Sequence, residues 1–302
     1  MENGITEWKS IELVDKGWSD DKKYKVLTNN NEELLLKVSD ISKYTSKRAE
    51  FEVIKSLENK KILMPKAIDI GVWQEKEIVY TVYTWLSGED AEGKIKQFSS
   101  EMQYELGLTA GMYLKEIHSI PAPDSVESWE IRFNRKIDTK IRRYKECGIE
   151  FFGAEKMINY LNNNRDLLIN RPQCLQHGDY HINNMIITPE NKLGIIDFNR
   201  FDYGDPWEEF NRIVWCAQAS TEFASGYING YFNDDVPADF FKLMLLYICS
   251  NSLSSVYWAV PFGREQVDIM LNQIREIQQW YNGLENYIPN WYHKNYKEKT
   301  QH

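Results

Sequence analysis

His177-Gly178-Asp179-Tyr180-His181-Ile182-Asn183-Asn184 carries more chemical information than any other stretch of this chain. It sets an acid, Asp179, and an amide, Asn184, five residues apart in a tight loop between two apolar runs, 174–176 and 185–187. A second acid, Asp197, ends the next apolar run, Leu193-Gly194-Ile195-Ile196. One carboxylate can take the proton of a hydroxyl group. An amide oxygen and a second carboxylate are hard ligands that suit magnesium on a chain of phosphates. Transfer of a phosphoryl group from a nucleotide needs both jobs done side by side.

The spacing from Asp179 to Asn184 matches the catalytic loop of protein kinases, and Asp197-Phe198 matches their metal-binding pair. The loop departs from theirs in reading His-Gly-Asp for His-Arg-Asp. Gly178 removes the Arg that meets an activation-loop phosphate, so phosphate-gated regulation is not expected. With Gly204-Asp205-Pro206 following the metal Asp, the chain resembles the aminoglycoside phosphotransferases and their kin, the macrolide, choline and fructosamine kinases. The resemblance runs from Trp8 to about residue 285 and is strongest in the second half.

That resemblance implies an α+β, protein-kinase-like fold of two lobes. Residues 1–86 form a small β-rich nucleotide lobe with one main helix, residues 87–302 a larger, mostly helical catalytic and acceptor lobe, and nucleotide lies between them. It also implies roles. Asp179 is the catalytic base, and Asn184 and Asp197 hold Mg2+ on ATP or GTP. Lys37 sits inside the apolar strand 34–38, where it would bind phosphates and pair with a Glu on the next helix. Glu50, seven residues before Leu57, is the expected partner, with Glu52 on another helix face as its competitor. Thr84 and Leu86 fall in the expected hinge against adenine. The phosphate loop, 15–21, holds a single glycine, so Gly17 and Ser19 are its candidate contacts; as a bland alternative the segment is an ordinary hairpin turn.

Each of these residues has a structural alternative. An Asp or Asn in a tight loop often only satisfies local amides. Asn183 beside Asn184 leaves the register open, and the five-residue offset favours Asn184. His177 and His181 read as structural loop residues. Asp205 reads as a helix cap with Pro206 in the first turn, a support and not a reacting group.

Composition narrows the field. The chain has 302 residues, 42% of them hydrophobic and 27% charged, as in an ordinary globular protein. A formal net charge of −9 argues against a nucleic-acid partner. Ten Trp and eighteen Tyr suit a site built partly of rings, or simply large cores. Four cysteines without a Cys-x-x-Cys pair argue against zinc and a disulfide framework. No signal peptide is expected from the first residues, and the most apolar stretch, 240–260, contains Lys242, Asn251 and several serines and reads as a buried helix, not a membrane span. A cytoplasmic monomer with reduced thiols is expected.

Strands are expected at 8–14, 24–28, 34–38, 67–72 and 78–85, with a helix over 44–60. Ser100 with Gln103 reads as a capping box opening a long helix. Helices are expected over 130–146 and 154–169, and again from the catalytic strands to about 286. The expected reaction is phosphorylation of a small hydroxylated molecule, an aminoglycoside if the resemblance reaches substrate level. The alternatives are choline, a sugar, an amino alcohol or a macrolide as acceptor, or a pseudokinase that only binds nucleotide. The run Asp202, Tyr203, Asp205, Trp207, Glu208 and Glu209, with Glu222, Asp234 and Asp235, would attract a cationic acceptor collectively.

Overall fold

The computed structural model describes residues 8–15 and 21–294. In chain order its elements are β1 (Trp8–Val14), β2 (Lys22–Thr28), β3 (Glu33–Asp40), α1 (Tyr44–Leu57), β4 (Ala67–Trp73), β5 (Ile78–Thr84) and β6 (Glu89–Asp90). Then come α2 (Ala91–Lys94), α3 (Ser100–Ile117), α4 (Trp129–Glu146), α5 (Ala154–Asn163), β7 (Cys174–Gln176), β8 (Met185–Ile187), β9 (Leu193–Ile195) and β10 (Asp202–Gly204). The helices α6 (Ile213–Ala219), α7 (Thr221–Phe232), α8 (Phe240–Ala259) and α9 (Arg264–Trp280) follow. These elements form a mixed α+β fold: an N-terminal antiparallel sheet and a larger helical part. The chain divides into two compact units. The first runs to Asp90 and takes in Asn184–Phe201; the second is Ala91–Asn183 with the residues from Asp202 on.

The first unit is built on an antiparallel sheet of order β1-β2-β3-β5-β4. Successive strand residues face opposite sides. Val26, Leu36 and Val82 make a buried cluster with Leu34, Val38, Tyr24 and Tyr80 packed against it. The alternate residues of β3 and β5, Lys37 and Tyr83 among them, face α1. There Phe51, Ile54 and Leu57 are buried, and the Phe51 ring lies 6.0 Å from that of Tyr83. This alternation is what aims a lysine of an apolar strand at a helix.

A second small sheet, β6-β8-β9, also belongs to this unit. The sequence places a boundary after residue 86; in the structure Glu89 and Asp90 pair with Ile187 and Ile186, which draws both segments together. Ile195 donates its N–H to the Leu63 carbonyl at 2.9 Å. Gly194 is required by close approach: a Cβ there would lie 2.4 Å from Leu86 Cδ2.

The second unit is helical. The stretch Phe240–Phe262, α8 and the turn after it, is long and apolar enough to cross a membrane by length and composition, but 67% of its most apolar window is buried within the fold, as in a core helix. The helices α3 and α7 touch backbone to backbone. Added Cβ atoms at Gly107 and Gly111 would meet the Phe223 and Tyr227 carbonyls at 2.2 and 2.3 Å, and one at Gly226 would meet the Tyr104 carbonyl at 2.2 Å. The cap of α3 is Ser99, not Ser100: its hydroxyl accepts from the Met102 N–H, and Gln103 instead donates to the Phe98 carbonyl. The expected helix over 154–169 breaks at Asn164, where a short 3-10 turn, Arg165–Leu168, takes over.

Candidate active site

In the first unit, Lys37 on β3 and Glu50 on α1 form a buried ion pair, Nζ to Oε1 2.9 Å. Glu50 lies on the buried stripe of α1, which decides between it and the exposed Glu52. Burial pulls the Lys37 pKa down, but the carboxylates of Glu50 and Asp197 outweigh it and hold the ammonium above the usual lysine range. Asp197 Oδ1 is 3.7 Å from Lys37 Nζ, and its Oδ2 is 3.9 Å from Lys23 Nζ. Lys23 and Lys37 are paired in register across β2 and β3, so two ammonium groups flank one carboxylate.

Asp197 has φ +68°, in the left-handed region that non-glycine residues rarely adopt. Next to it, the Ile196 N–H donates to the Asn184 carbonyl at 3.0 Å, which holds the two chain positions side by side. Asp197 Oδ1 is buried and accepts no hydrogen bond. A buried acceptor without a donor is costly unless something else meets it. Asn184 and Asp197 offer hard oxygens, so this pair fits magnesium. No cluster of three His, Cys, Asp or Glu among the described residues could hold a metal by itself.

Of the hinge candidates, Thr84 is engaged within the fold: its N–H donates to the Lys66 carbonyl and its hydroxyl accepts from the Lys66 N–H, each at 2.9 Å. Leu86 lies over Gly194. Gly17 and Ser19 lie outside the described residues.

In the second unit, Asp179 Oδ1 is 3.1 Å from Arg212 Nη1 and 3.3 Å from His181 Nε2. The ring of Trp215 lies close to both basic groups, 5.5 Å from the His181 ring and 5.7 Å from the guanidinium. The loop itself is fastened from below. Glu209, buried, accepts from the His177 N–H at 2.6 Å and from the Gly178 N–H at 2.8 Å, with Gly178 at φ +82°. The Tyr180 hydroxyl donates to the Ala110 carbonyl of α3 at 2.7 Å. Asn183 reaches Glu92, Nδ2 to Oε2 3.0 Å, and the Asn184 backbone carbonyl accepts from the Ile196 N–H. Asp205 caps the turn Pro206–Arg212 and accepts from Arg171 at 2.6 and 2.9 Å and from the Tyr247 hydroxyl at 2.6 Å.

Sequence reasoning did not find Arg212, Glu209, Lys23 or Lys47. The sequence groups Glu209 with the acids that would attract a substrate, yet it is 1% exposed and bound to loop amides. Asp205 is likewise 0% exposed, so neither is offered outward. The only available signal for Glu209 was its place four residues after the Asp205 cap, on the inner side of that turn.

A family model described as the phosphotransferase enzyme family matches residues 10–241. No curated protein matched in a sequence search. Among solved structures, the gentamicin–APH(2'')-IIa complex is similar with TM-score 0.61 at 20% identity, over 89% of this chain and 92% of that one. The GDP complex of aminoglycoside 2'-phosphotransferase-IIIa gives 0.65 at 14% identity, over 91% and 94%. The streptomycin–ATP–APH(2'')-IIa complex gives 0.59 at 21%, over 90% and 92%. At these identities the likeness establishes the kinase-like fold.

Proposed function

The chain belongs to the phosphotransferase enzyme family, whose model spans residues 10–241, and from that premise we propose that it transfers the γ-phosphate of ATP or GTP to a hydroxyl of an aminoglycoside. That it is a small-molecule kinase acting on alcohol groups follows from the family; the antibiotic acceptor, the magnesium and the residue roles are the proposal. The observation that carries it is the buried, donor-less Asp197 Oδ1 beside the Lys37–Glu50 pair.

Lys37 would contact the phosphates, held by Glu50. Asn184 and Asp197 would hold magnesium, which neutralises phosphate charge when bound. Asp179 would accept the acceptor's hydroxyl proton as the new bond to phosphorus forms. Arg212 and His181 keep that carboxylate oriented. Thr84 and Leu86 remain the adenine-side candidates through the backbone groups their internal contacts leave. Gentamicin and streptomycin occupy structural neighbours of this chain, and ATP and GDP occupy others or the same ones. That is why a cationic aminocyclitol heads the acceptor list and both bases stay in the test. The same reading carries a cytoplasmic monomer whose product is an inactivated antibiotic.

The deciding experiment offers gentamicin, streptomycin, a macrolide, choline and simple sugars to the purified chain, each with ATP or GTP, and measures magnesium-dependent release of ADP or GDP. Turnover with an aminoglycoside, lost in Asp197→Ala, is the expected result. Turnover only with a neutral acceptor removes the aminoglycoside assignment. Nucleotide binding with no turnover on any acceptor points to the pseudokinase.

A further inference from the structure

Glu50 is gripped on both oxygens. Lys37 Nζ meets its Oε1 at 2.9 Å, and Lys47 Nζ meets its Oε2 at 3.3 Å. Lys47 sits one turn before Glu50 on α1 and also donates to Asp21 Oδ2. Asp21 Oδ1 accepts from the Ser39 hydroxyl at 2.7 Å, two residues along β3 from Lys37. Lys43 Nζ approaches Asp21 as well, at 3.7 Å. Asp21, Lys47, Glu50, Lys37 and Asp197 therefore alternate in sign. The side chains of the first four are at most 9% exposed, while Asp197, at the end of the row, is 26% exposed.

A carboxylate held by one lysine can turn about its own bonds and carry that lysine with it. A second cation on the other oxygen removes the freedom. A second cation alone would compete with Lys37 for Glu50, and the pairing of Lys47 with Asp21 prevents this. Each buried charge has a neighbour of opposite sign, which is the condition for keeping charges in the interior.

We propose that Lys47 and Asp21 are positioning residues for the nucleotide phosphates: they lock Glu50 from behind and so fix where the Lys37 ammonium is presented. The inference rests on the nucleotide-dependent reading above. It assigns to this pair an effect on nucleotide and none on the acceptor.

The test uses the full chain with Lys47→Met, Lys47→Arg, Asp21→Asn and the Asp21→Asn/Lys47→Met double variant. Mg-ATP and Mg-GTP binding by tryptophan fluorescence, steady-state kinetics and thermal melting are measured on each. Lys47→Met is expected to weaken nucleotide binding and raise nucleotide KM about tenfold, the size of coupling expected between contacting charged groups. Acceptor KM stays within error, and Lys47→Arg recovers most of the loss. The double variant is no worse than Lys47→Met, because the two residues act as one device. Should Lys47→Met not fold, the isosteric Asp21→Asn carries the same expectation. Unchanged nucleotide binding in a folded variant, effects of the two substitutions that simply multiply, or an acceptor KM that rises in step overturns the positioning role. A wild-type chain that binds neither nucleotide overturns the function reading itself, and is told apart by that control.

Discussion

Asp179 shares one carboxylate oxygen between Arg212 and His181, while its loop amides are held by Glu209. Asp179→Asn keeps an oxygen for those contacts and loses the proton acceptor. Turnover is expected to fall ~10²- to 10⁴-fold, the usual contribution of a general base, with nucleotide affinity and melting temperature retained. A rate within a few-fold of wild type would remove Asp179 from the chemistry. At this scale a residue type and a spacing mark Asp179, Asn184 and Asp197 as candidates, and the structure sets the backbone of Asn184 beside Ile196, next to Asp197. Arg212 and Glu209 were not legible, because nothing local marks a side chain that meets its partner some thirty residues away in the chain.

Elements position these residues, and two of them lend themselves to measurement. α3 holds the loop 177–184 through the Ala110 carbonyl, and α7 lies against the backbone of α3. Gly226→Ala would put a methyl 2.2 Å from the Tyr104 carbonyl oxygen, where no side chain can yield. We expect a loss of about 1–3 kcal/mol or more, typical of overpacking, seen as a melting temperature several degrees lower; an unchanged melting curve would contradict the close packing. Along α4, burial and then Lys136 and Arg212 push the Lys140 ammonium down to about 7, against a raising influence from Glu208. An unfolded lysine titrates near ~10.4. Between about 7 and ~10.4 the unfolded chain then binds the extra proton, so stability should rise with pH across that window. Melting at pH 6.5 and pH 9.5 should show that rise in the wild type and a smaller one in Lys140→Met; equal slopes would place Lys140 in solvent. The elements themselves were largely legible. The turn signal at 29–31 and the apolar run after it marked β3, whose alternating faces set Lys37 toward α1. The adjacent serines at 99 and 100 differ only in backbone angle, which residue type does not encode, and the Gly107–Gly111 and Gly226–Gly230 spacings become meaningful only once two helices meet.

For the molecule as a whole, net charge is −9, and Asp202, Asp234 and Asp235 stay exposed while Asp205 and Glu209 are used internally. The field left for a cationic acceptor is therefore diffuse. Its KM should rise with added salt as the screening length shortens from ~10 Å at 0.1 M to ~3 Å at 1 M. Kinetics with an aminoglycoside across that range test it, and a flat KM would assign recognition to close contacts alone. The division of the chain has a consequence of another kind. Residues 184–201 belong with the first ninety, although the segment between them builds the second unit. Such a chain cannot be shuffled by gene fusion at a single junction. A crossover after residue 90 would hand a recipient the sheet and Lys37 but a foreign hairpin carrying the residues that correspond to Asn184 and Asp197. Exchange of either half at one junction therefore separates residues 184–201 from the sheet they belong with, whereas point substitutions leave that unit whole.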